Sequence, residues 1–435
     1  MNINKELLKF IKNSPSPFHS VESITKELDA AGFKALYEGE SWKLKSGKYY
    51  VCRNNSSVIA FDIPEKLSDY HFQMAASHSD SPTYKIKAEP ELCGPEEYLK
   101  LNVEGYGAMI DYTWLDKPLS VAGRVLVKEG KEIVSKLLYI DKDILLIPSL
   151  AIHMNHEVNK GYAFNRQVDL CPLFSNGKLK KGDFDKMLAK ELKLKPENIV
   201  AKDLFLVNRQ EGIVWGYENE FISSPKLDDL QAAFASLKGF IGSKNHGCIN
   251  VYCCFDNEEV GSRTKQGAMS TFLADVLHRI NAVLGKSEDD YFAAISKSFM
   301  VSFDNAHAIH PNHPEKADSV NKPLMNKGLV IKENAAQSYT TDAFSRAVFK
   351  SICEKAAVPV QVFANRSDSV GGGTLGNISN IQVSVHSVDI GIAQLAMHSC
   401  FETAGSEDTE YAVNALKEYY SSLILIKDSD SYTVL

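Results

Sequence analysis

Strand-length apolar runs alternate with helix-like patterns along much of the chain. Ile249–Phe255 and Phe299–Phe303 are mostly apolar and short, which is typical of buried strands, whereas residues 227–240 and 269–284 carry apolar residues at helical spacing. Residues 381–388 continue the alternation as a further strand, and helices are expected from there to residue 424. This pattern predicts an α/β fold in which helices cover both faces of one sheet.

The middle of the chain has a different hydrophobic pattern. Residues 88–220 are predicted to form short strands that are separated by glycine residues and an Asp-Lys-Asp turn, with one helix at 183–192. We therefore predict a discontinuous core domain formed by residues 1–87 and 221–435, with a β-rich domain of residues 88–220 inserted in it. The tail from residue 427 is predicted to be a frayed end.

Composition excludes several classes of protein. The 435 residues include 48 Lys and Arg and 55 Asp and Glu, so the formal net charge is −7. A mildly acidic chain lacks the excess of basic residues that is typical of nucleic-acid-binding proteins. No apolar run reaches the ~18 residues of a membrane span, and the first residues lack the apolar core of a signal peptide. The eight cysteines show no Cys-x-x-Cys pairing, so we expect reduced thiols in a cytoplasmic protein.

Two adjacent glutamates, Glu258 and Glu259, follow the apolar run that ends at Phe255. A carboxylate near a buried strand end needs a cation, hydrogen bonds or a proton to offset its lost hydration. A pair of metal ions would supply the positive charge, and the two glutamates would then have different roles. Glu259 would bind metal, while Glu258 would stay free to carry a proton.

Other metal-ligand residue types also stand at or near the ends of predicted strands or at helix starts. Open α/β sheets bind ligands at the carboxyl ends of their strands, so these side chains are expected to converge. The candidate ligands are His78, Asp228, Glu259, Asp304 and His398, the last of these on a predicted helix.

The ligand set is chemically coherent. Two histidines and three carboxylates suit Zn, Co or Mn, and three carboxylates with one hydroxide balance the charge of two divalent ions. Asp228 would bridge the two ions, and Asp80 would hold the second ring nitrogen of His78. Each residue alone has an ordinary alternative: a polar turn for His78 and Asp80, a core residue for His398, a helix cap for Asp304.

With these residues in place, the chain resembles the aspartyl aminopeptidase family of dinuclear zinc aminopeptidases. The similarity extends over nearly the whole chain and is carried by the motifs SHSDSP (77–82), SPKLDD (224–229), DNEEVGS (256–262) and DNAHAIHPN (304–312). It implies the same five metal ligands, Glu258 as the general base, and a zinc-peptidase α/β core with an inserted dimerisation domain. It also implies dimers that assemble into a tetrahedral dodecamer.

The resemblance implies a set of residues that contact substrate. Lys332 matches a family lysine proposed to meet an acidic substrate side chain, and His153 matches a histidine that reaches a neighbouring subunit's active site. His310 and Tyr339 are weaker candidates for the same pocket.

We therefore predict a metal-dependent aminopeptidase that removes one N-terminal residue, acidic by preference, from peptides with a free N-terminus. Two alternatives stay open at this point. One is a dinuclear-metal dipeptidase or deacylase with another specificity, and the other is a catalytically silent oligomeric scaffold.

Overall fold

A computed structural model of the protein describes residues 2–435. Its α-helices are α1 (Ile3–Lys12), α2 (Pro17–Ala30), α3 (Asp183–Glu191), α4 (Leu227–Gly242), α5 (Phe272–Val283), α6 (Glu288–Ser296), α7 (Ala343–Lys355), α8 (Leu375–Ser379) and α9 (Asp408–Ser421). The strands are β1 (Lys34–Leu36), β2 (Gly47–Arg53), β3 (Ser57–Ile63), β4 (Phe72–His78), β5 (Thr83–Cys93), β6 (Tyr98–Tyr106), β7 (Leu119–Glu129), β8 (Glu132–Tyr139), β9 (Leu173–Asn176), β10 (Ile199–Asn208), β11 (Ile213–Trp215), β12 (Phe221–Ser224), β13 (Ile249–Phe255), β14 (Phe299–Phe303), β15 (Ala306–His307), β16 (Leu329–Glu333), β17 (Val360–Ala364), β18 (His386–Gly391), β19 (Ala393–Leu395), β20 (Glu402–Gly405), β21 (Ile424–Lys427) and β22 (Ser431–Val434).

The chain separates into two compact units. One comprises the chain up to Asp80, Gly212–Met397 and Glu402–Leu435, and the other comprises Ser81–Glu211 with His398–Phe401. The unit bounds at residues 80 and 211 fall slightly before the predicted domain bounds of 87 and 220. The dimerisation role of the insertion stays a prediction.

The first unit is built on a mixed sheet with the order β1-β2-β3-β13-β4-β14-β18-β16-β17. Its central strands β13, β4, β14 and β18 run parallel to their neighbours in that group. The register places Phe255 beside His78 and Ser302 beside Ala76, so β13, β4 and β14 end at one edge. This confirms the predicted mixed α/β sheet and explains why residues that follow these strands come together.

Helices cover both faces of this sheet, as its burial pattern requires. Every residue of β4 and β13 is buried, which is typical of parallel strands between two helical layers. Alternate residues point to opposite faces. Tyr252 and Cys254 belong to one hydrophobic core with α4 and α9, whereas Val251 and Cys253 belong to a second core with α5.

The same unit contains two smaller sheets. One has the strand order β11-β12-β20-β19-β15, and the other is the hairpin of β21 and β22. The prediction of a frayed tail is wrong, because residues 427–434 form the turn and second strand of that hairpin. Hydrogen bonds between Leu423 and Leu435 in both directions close its open end.

The second unit contains an antiparallel sheet with the order β8-β7-β10-β5-β6-β9. Its core includes Tyr84, Leu101, Val121 and Leu204, and helix α3 adds Phe184 to it. The short apolar strands of residues 88–220 therefore bury one common face of a sheet.

Three local predictions in the last hundred residues are wrong. The predicted strand at 381–388 begins later, as β18. The glycine-rich loop of residues 371–373, whose sequence predicts that a strand follows it, leads instead into the short helix α8. His398 was expected on a helix but lies in a turn after β19, with β20 following it. The short apolar segments in this region fit both helical and strand periodicity, and strand pairing within the sheets determined which structure formed.

No helix within residues 2–435 is both long and apolar enough to cross a membrane. The eight cysteines are present as thiols.

Candidate metal centre

Three strand ends and one helix start bring the candidate ligands of the first unit to one place. His78 is the last residue of β4, Asp304 directly follows β14, and Glu258 and Glu259 follow β13 after a short turn. Asp228 is the second residue of α4, where its φ of −81° and ψ of 110° depart from helical geometry. The N–H of a residue in the first helical turn has no acceptor within the helix, and that of Asp228 donates to Glu402 Oε2 at 3.0 Å.

His78 lies at the centre of this cluster. Its Nε2 is 3.4 Å from Asp228 Oδ1, 3.9 Å from Asp304 Oδ1 and 4.0 Å from Glu258 Oε2. The His78 and Asp228 side chains are almost fully buried, while the Glu258 side chain is 14% exposed. Glu258 and Asp304, whose side chain is 12% exposed, are therefore both accessible to solvent or a substrate.

Asp80 connects His78 to the glutamates. His78 Nδ1 is 3.1 Å from the Asp80 carbonyl and 3.3 Å from its Oδ1. The two carboxylate oxygens of Asp80 also accept the backbone N–H groups of Glu258 and Glu259, each at 3.2 Å. One buried carboxylate thus orients the histidine ring and holds the turn that carries both glutamates.

Acidic groups dominate the electrostatics of the cluster. Burial and neighbouring carboxylates raise the pKa of Glu258 to about 8 and raise that of Glu259 well above its ordinary value. Burial alone would lower the pKa of His78, but Asp229, Asp228 and the other acids outweigh it and raise that pKa. The protein gathers more negative charge here than its own cations offset.

The donor set fits divalent metal ions. One donor atom from each of His78, Asp228, Asp229 and Asp304 lies within 4.8 Å of all the others, and His78, Glu258 and Glu259 form a second such group. Asp229 Oδ1 is buried with no hydrogen-bond partner among residues 2–435. Imidazole and carboxylate donors suit zinc, cobalt or manganese, and such a cation would offset the excess negative charge.

Sequence reasoning missed Asp229 and Glu402. Asp229 is fully buried, and its Oδ2 accepts the His78 backbone N–H at 2.9 Å. Glu402, also buried, is placed by the pairing of β20 with β12, where it stands opposite Ser224. The Asp228-Asp229 doublet was a signal that could have been read; Glu402 had none, because only the sheet brings it near Asp228.

His398 belongs to the second unit. Its φ is +66°, and its Nδ1 lies 2.7 Å from the Ala108 carbonyl, which orients the ring. Its role as the fifth ligand stays a prediction.

The predicted substrate residues have different surroundings. Lys332 and Tyr339 are buried side by side, with Lys332 Nζ 5.2 Å from the centre of the Tyr339 ring. His310 is exposed and lines a cavity of about 440 Å³ together with His307, Phe363 and Arg366. His153, in the second unit, is exposed in a turn. Their contacts with substrate stay predictions.

Comparison with known proteins identifies the family. Residues 10–420 match the family model described as aminopeptidase I zinc metalloprotease (M18). A probable M18 family aminopeptidase 2 of Clostridium novyi is 48% identical over 424 residues, covering 96% of this chain and 98% of the relative. A protein of the same description from Clostridium acetobutylicum is 46% identical over 425 residues, with the same coverage of both chains.

Solved structures agree with this relationship. A chain in the cryo-EM structure of the Ape4 and Nbr1 complex superposes with a TM-score of 0.93 at 35% identity, covering 96% of this chain and 85% of that one. The Saccharomyces cerevisiae mApe1 dodecamer gives a TM-score of 0.84 at 25% identity, with 96% of each chain covered. The chain therefore belongs to the M18 family of zinc metallo-aminopeptidases.

Proposed function

We propose that the protein removes a single residue from the free N-terminus of a peptide, with Glu258 as the general base. The observation that carries this proposal is the position of Glu258: its carboxylate lies 4.0 Å from His78 Nε2, beside the candidate ligands, yet is partly exposed. A proton carrier needs this combination, because it must reach both the attacking water and the leaving amine.

The ligand residues we propose are His78, Asp228, Glu259, Asp304 and His398, holding two divalent ions, zinc in the first instance, with cobalt or manganese as the alternatives. When bound, the ions supply Lewis acidity that polarises the scissile carbonyl and acidifies the attacking water. Asp80 keeps the His78 ring and the glutamate turn in position. Glu258 takes a proton from the water and passes it to the departing amine.

A preference for acidic N-terminal residues is the proposed specificity. The region around His310 supports it, because His307, His313, Lys316 and Arg366 also line the 440 Å³ cavity, where they outnumber the acidic Asp318. A cavity with this lining favours an anionic side chain and disfavours a cationic one. Tyr339 and His153 are the other proposed contributors, whereas the Lys332 ammonium donates to the backbone carbonyls of Asp304 and Asn305.

We also propose a homo-oligomer in the cytoplasm. The solved mApe1 relative is a dodecamer, and the domain of residues 88–220 would form the dimer contact from which a tetrahedral dodecamer is built. The thiol state of the eight cysteines supports a reducing compartment. The net charge of −7 gives no support for nucleic acid as a partner, and no membrane partner is proposed.

The test is a substrate panel. The metal-free protein, with and without added zinc, is assayed on chromogenic Asp, Glu, Leu and Lys amides and on acylated amino acids. We expect zinc-dependent hydrolysis of the free-amine amides, fastest for Asp and Glu. Hydrolysis of only the acylated set would indicate a deacylase. No hydrolysis after zinc is restored would indicate a silent scaffold.

A further inference from the structure

The Lys332 side chain donates hydrogen bonds to the backbone at and beside Asp304, a candidate metal ligand. Its side chain is 2% exposed, and its Nζ donates to the Asp304 carbonyl at 2.8 Å and to the Asn305 carbonyl at 3.3 Å. The same Nζ is 3.8 Å from Asp304 Oδ2. A substrate carboxylate would therefore have to share this ammonium with Asp304.

Asn305 connects this part of the site to Asp228, a second candidate ligand. Its side-chain amide lies 3.0 Å from the carbonyl of Leu227, the residue before Asp228, and 2.9 Å from Gln394 Oε1 in β19. Asn305 is 3% exposed, so these groups exchange few hydrogen bonds with water. The start of α4 and the end of β14 are thereby joined through one buried residue.

The packing around Asp304 leaves little room for rearrangement. Its backbone N–H donates to Ile390 of β18 at 3.1 Å, and a Cβ on Gly391 of the same strand would lie 2.6 Å from the Asp304 carbonyl. The carbonyl that Lys332 binds is thus enclosed on the β18 side as well. Lys332 supplies the donor that this buried oxygen needs.

We propose that Lys332 is a positioning residue of the metal centre, which holds Asp304 and, through Asn305, Asp228 at a fixed separation whatever the substrate. The proposal rests on the proposed function for its identification of these aspartates as ligands. Removing the ammonium leaves two buried carbonyls without their donor and leaves the Asp304 carboxylate without the positive charge that lies 3.8 Å from its Oδ2. The consequence is weaker metal binding and slower turnover on every substrate alike.

Zinc affinity is the decisive measurement. Metal-free wild type, Lys332→Met and Lys350→Met are titrated with zinc in competition with a chromogenic chelator. Lys350 is exposed on α7 and undergoes the same chemical change outside the network. We expect Lys332→Met to bind zinc about tenfold or more weakly, the usual size of effect for a residue that orients a ligand. Lys350→Met should match wild type.

Substrate ratios separate this role from recognition of an acidic side chain. For Lys332→Met, we expect kcat to fall on both Asp and Ala amides, with the ratio of their kcat/KM values unchanged within about twofold. The proposal is overturned if zinc affinity stays at the wild-type value while the Asp-to-Ala ratio falls tenfold or more. That result would assign Lys332 to the substrate pocket instead.

Two safeguards keep the test decisive. If Lys332→Met does not fold, Lys332→Gln keeps an uncharged amide donor group and should show the same loss of zinc affinity at smaller amplitude. Wild-type affinity in that variant contradicts the proposal. If wild type hydrolyses no amide, the proposed function fails, and the zinc titration still decides the role of Lys332.

Discussion

The two sides of the candidate metal centre differ in the groups that offset their negative charge. The glutamate side consists of His78, Asp80, Glu258 and Glu259, and the lysine side of Asp304, Asn305 and Lys332. On the glutamate side, burial and the neighbouring carboxylates raise the pKa of Glu258 to about 8, against the opposing effect of His78. On the lysine side, burial lowers the pKa of Lys332, but Asp304, Tyr339 and other acidic groups together outweigh it and raise that pKa, so the ammonium stays charged.

This difference shows which side depends on an added cation. The lysine side is already compensated by the protein and should keep its geometry in the metal-free state. The glutamate side holds its carboxylates close together with only the His78 ring to offset their charge, and it gains most when metal binds. In the proposed mechanism the general base lies on the glutamate side, and we expect the lysine side to act as a fixed support for the ligands.

The largest effect that would test this division is expected from Glu258→Gln. The amide keeps the shape of the side chain but cannot accept the proton, so turnover should fall about 10²- to 10⁴-fold while bound zinc is retained. Turnover and zinc content are measured on the same preparation. The matched variant Glu259→Gln should instead lose zinc. Near-wild-type turnover in Glu258→Gln would remove that residue from the mechanism.

A smaller effect is expected from Asp80→Asn. The side-chain amide can accept only one of the two N–H groups that Asp80 now accepts, and its NH₂ would face the other. We expect zinc affinity or kcat to fall about tenfold, with the fold intact by circular dichroism. Asp430→Asn, at an exposed turn, is the control. Unchanged affinity and turnover would show that Asp80 does not support the glutamate side.

The smallest effect is a pH dependence of stability. Glu258, with a pKa raised from 4.5 to about 8, keeps a proton in the folded state that the unfolded chain loses, so metal-free stability should fall as pH rises through this window. The raised pKa of His78 acts in the same direction above its ordinary 6.5. Bound zinc replaces these protons. The increase in Tm on adding zinc should therefore be larger at pH 8 than at pH 5.

Scanning calorimetry of the metal-free and zinc-loaded protein at several pH values measures this dependence. Glu258→Gln cannot ionise and should show a shallower fall of metal-free stability between pH 5 and 8. A zinc-induced rise in Tm that is the same at both pH values would mean that the glutamate side is not charged as described.

Much of the centre was predictable because its residues follow strongly apolar strands. His78, Asp304 and the Glu258-Glu259 pair all stand at the ends of strands whose type the apolar runs already indicated. Parallel strands end at the same edge, so convergence followed from the fold class. The wrong predictions concern weakly patterned segments: the tail after residue 427 pairs as a hairpin, and His398 lies in a turn.

The sequence alone determined the α/β class, the acid-rich strand ends and the family resemblance, because these depend on local pattern and residue type. Only the tertiary structure decided which groups face each other. It placed Glu402 against the Asp228 N–H and turned Lys332 toward the Asp304 carbonyl, both through pairing of strands distant in sequence. Hydrogen-bond partners across a sheet depend on its strand order and register, which no local pattern of the chain encodes.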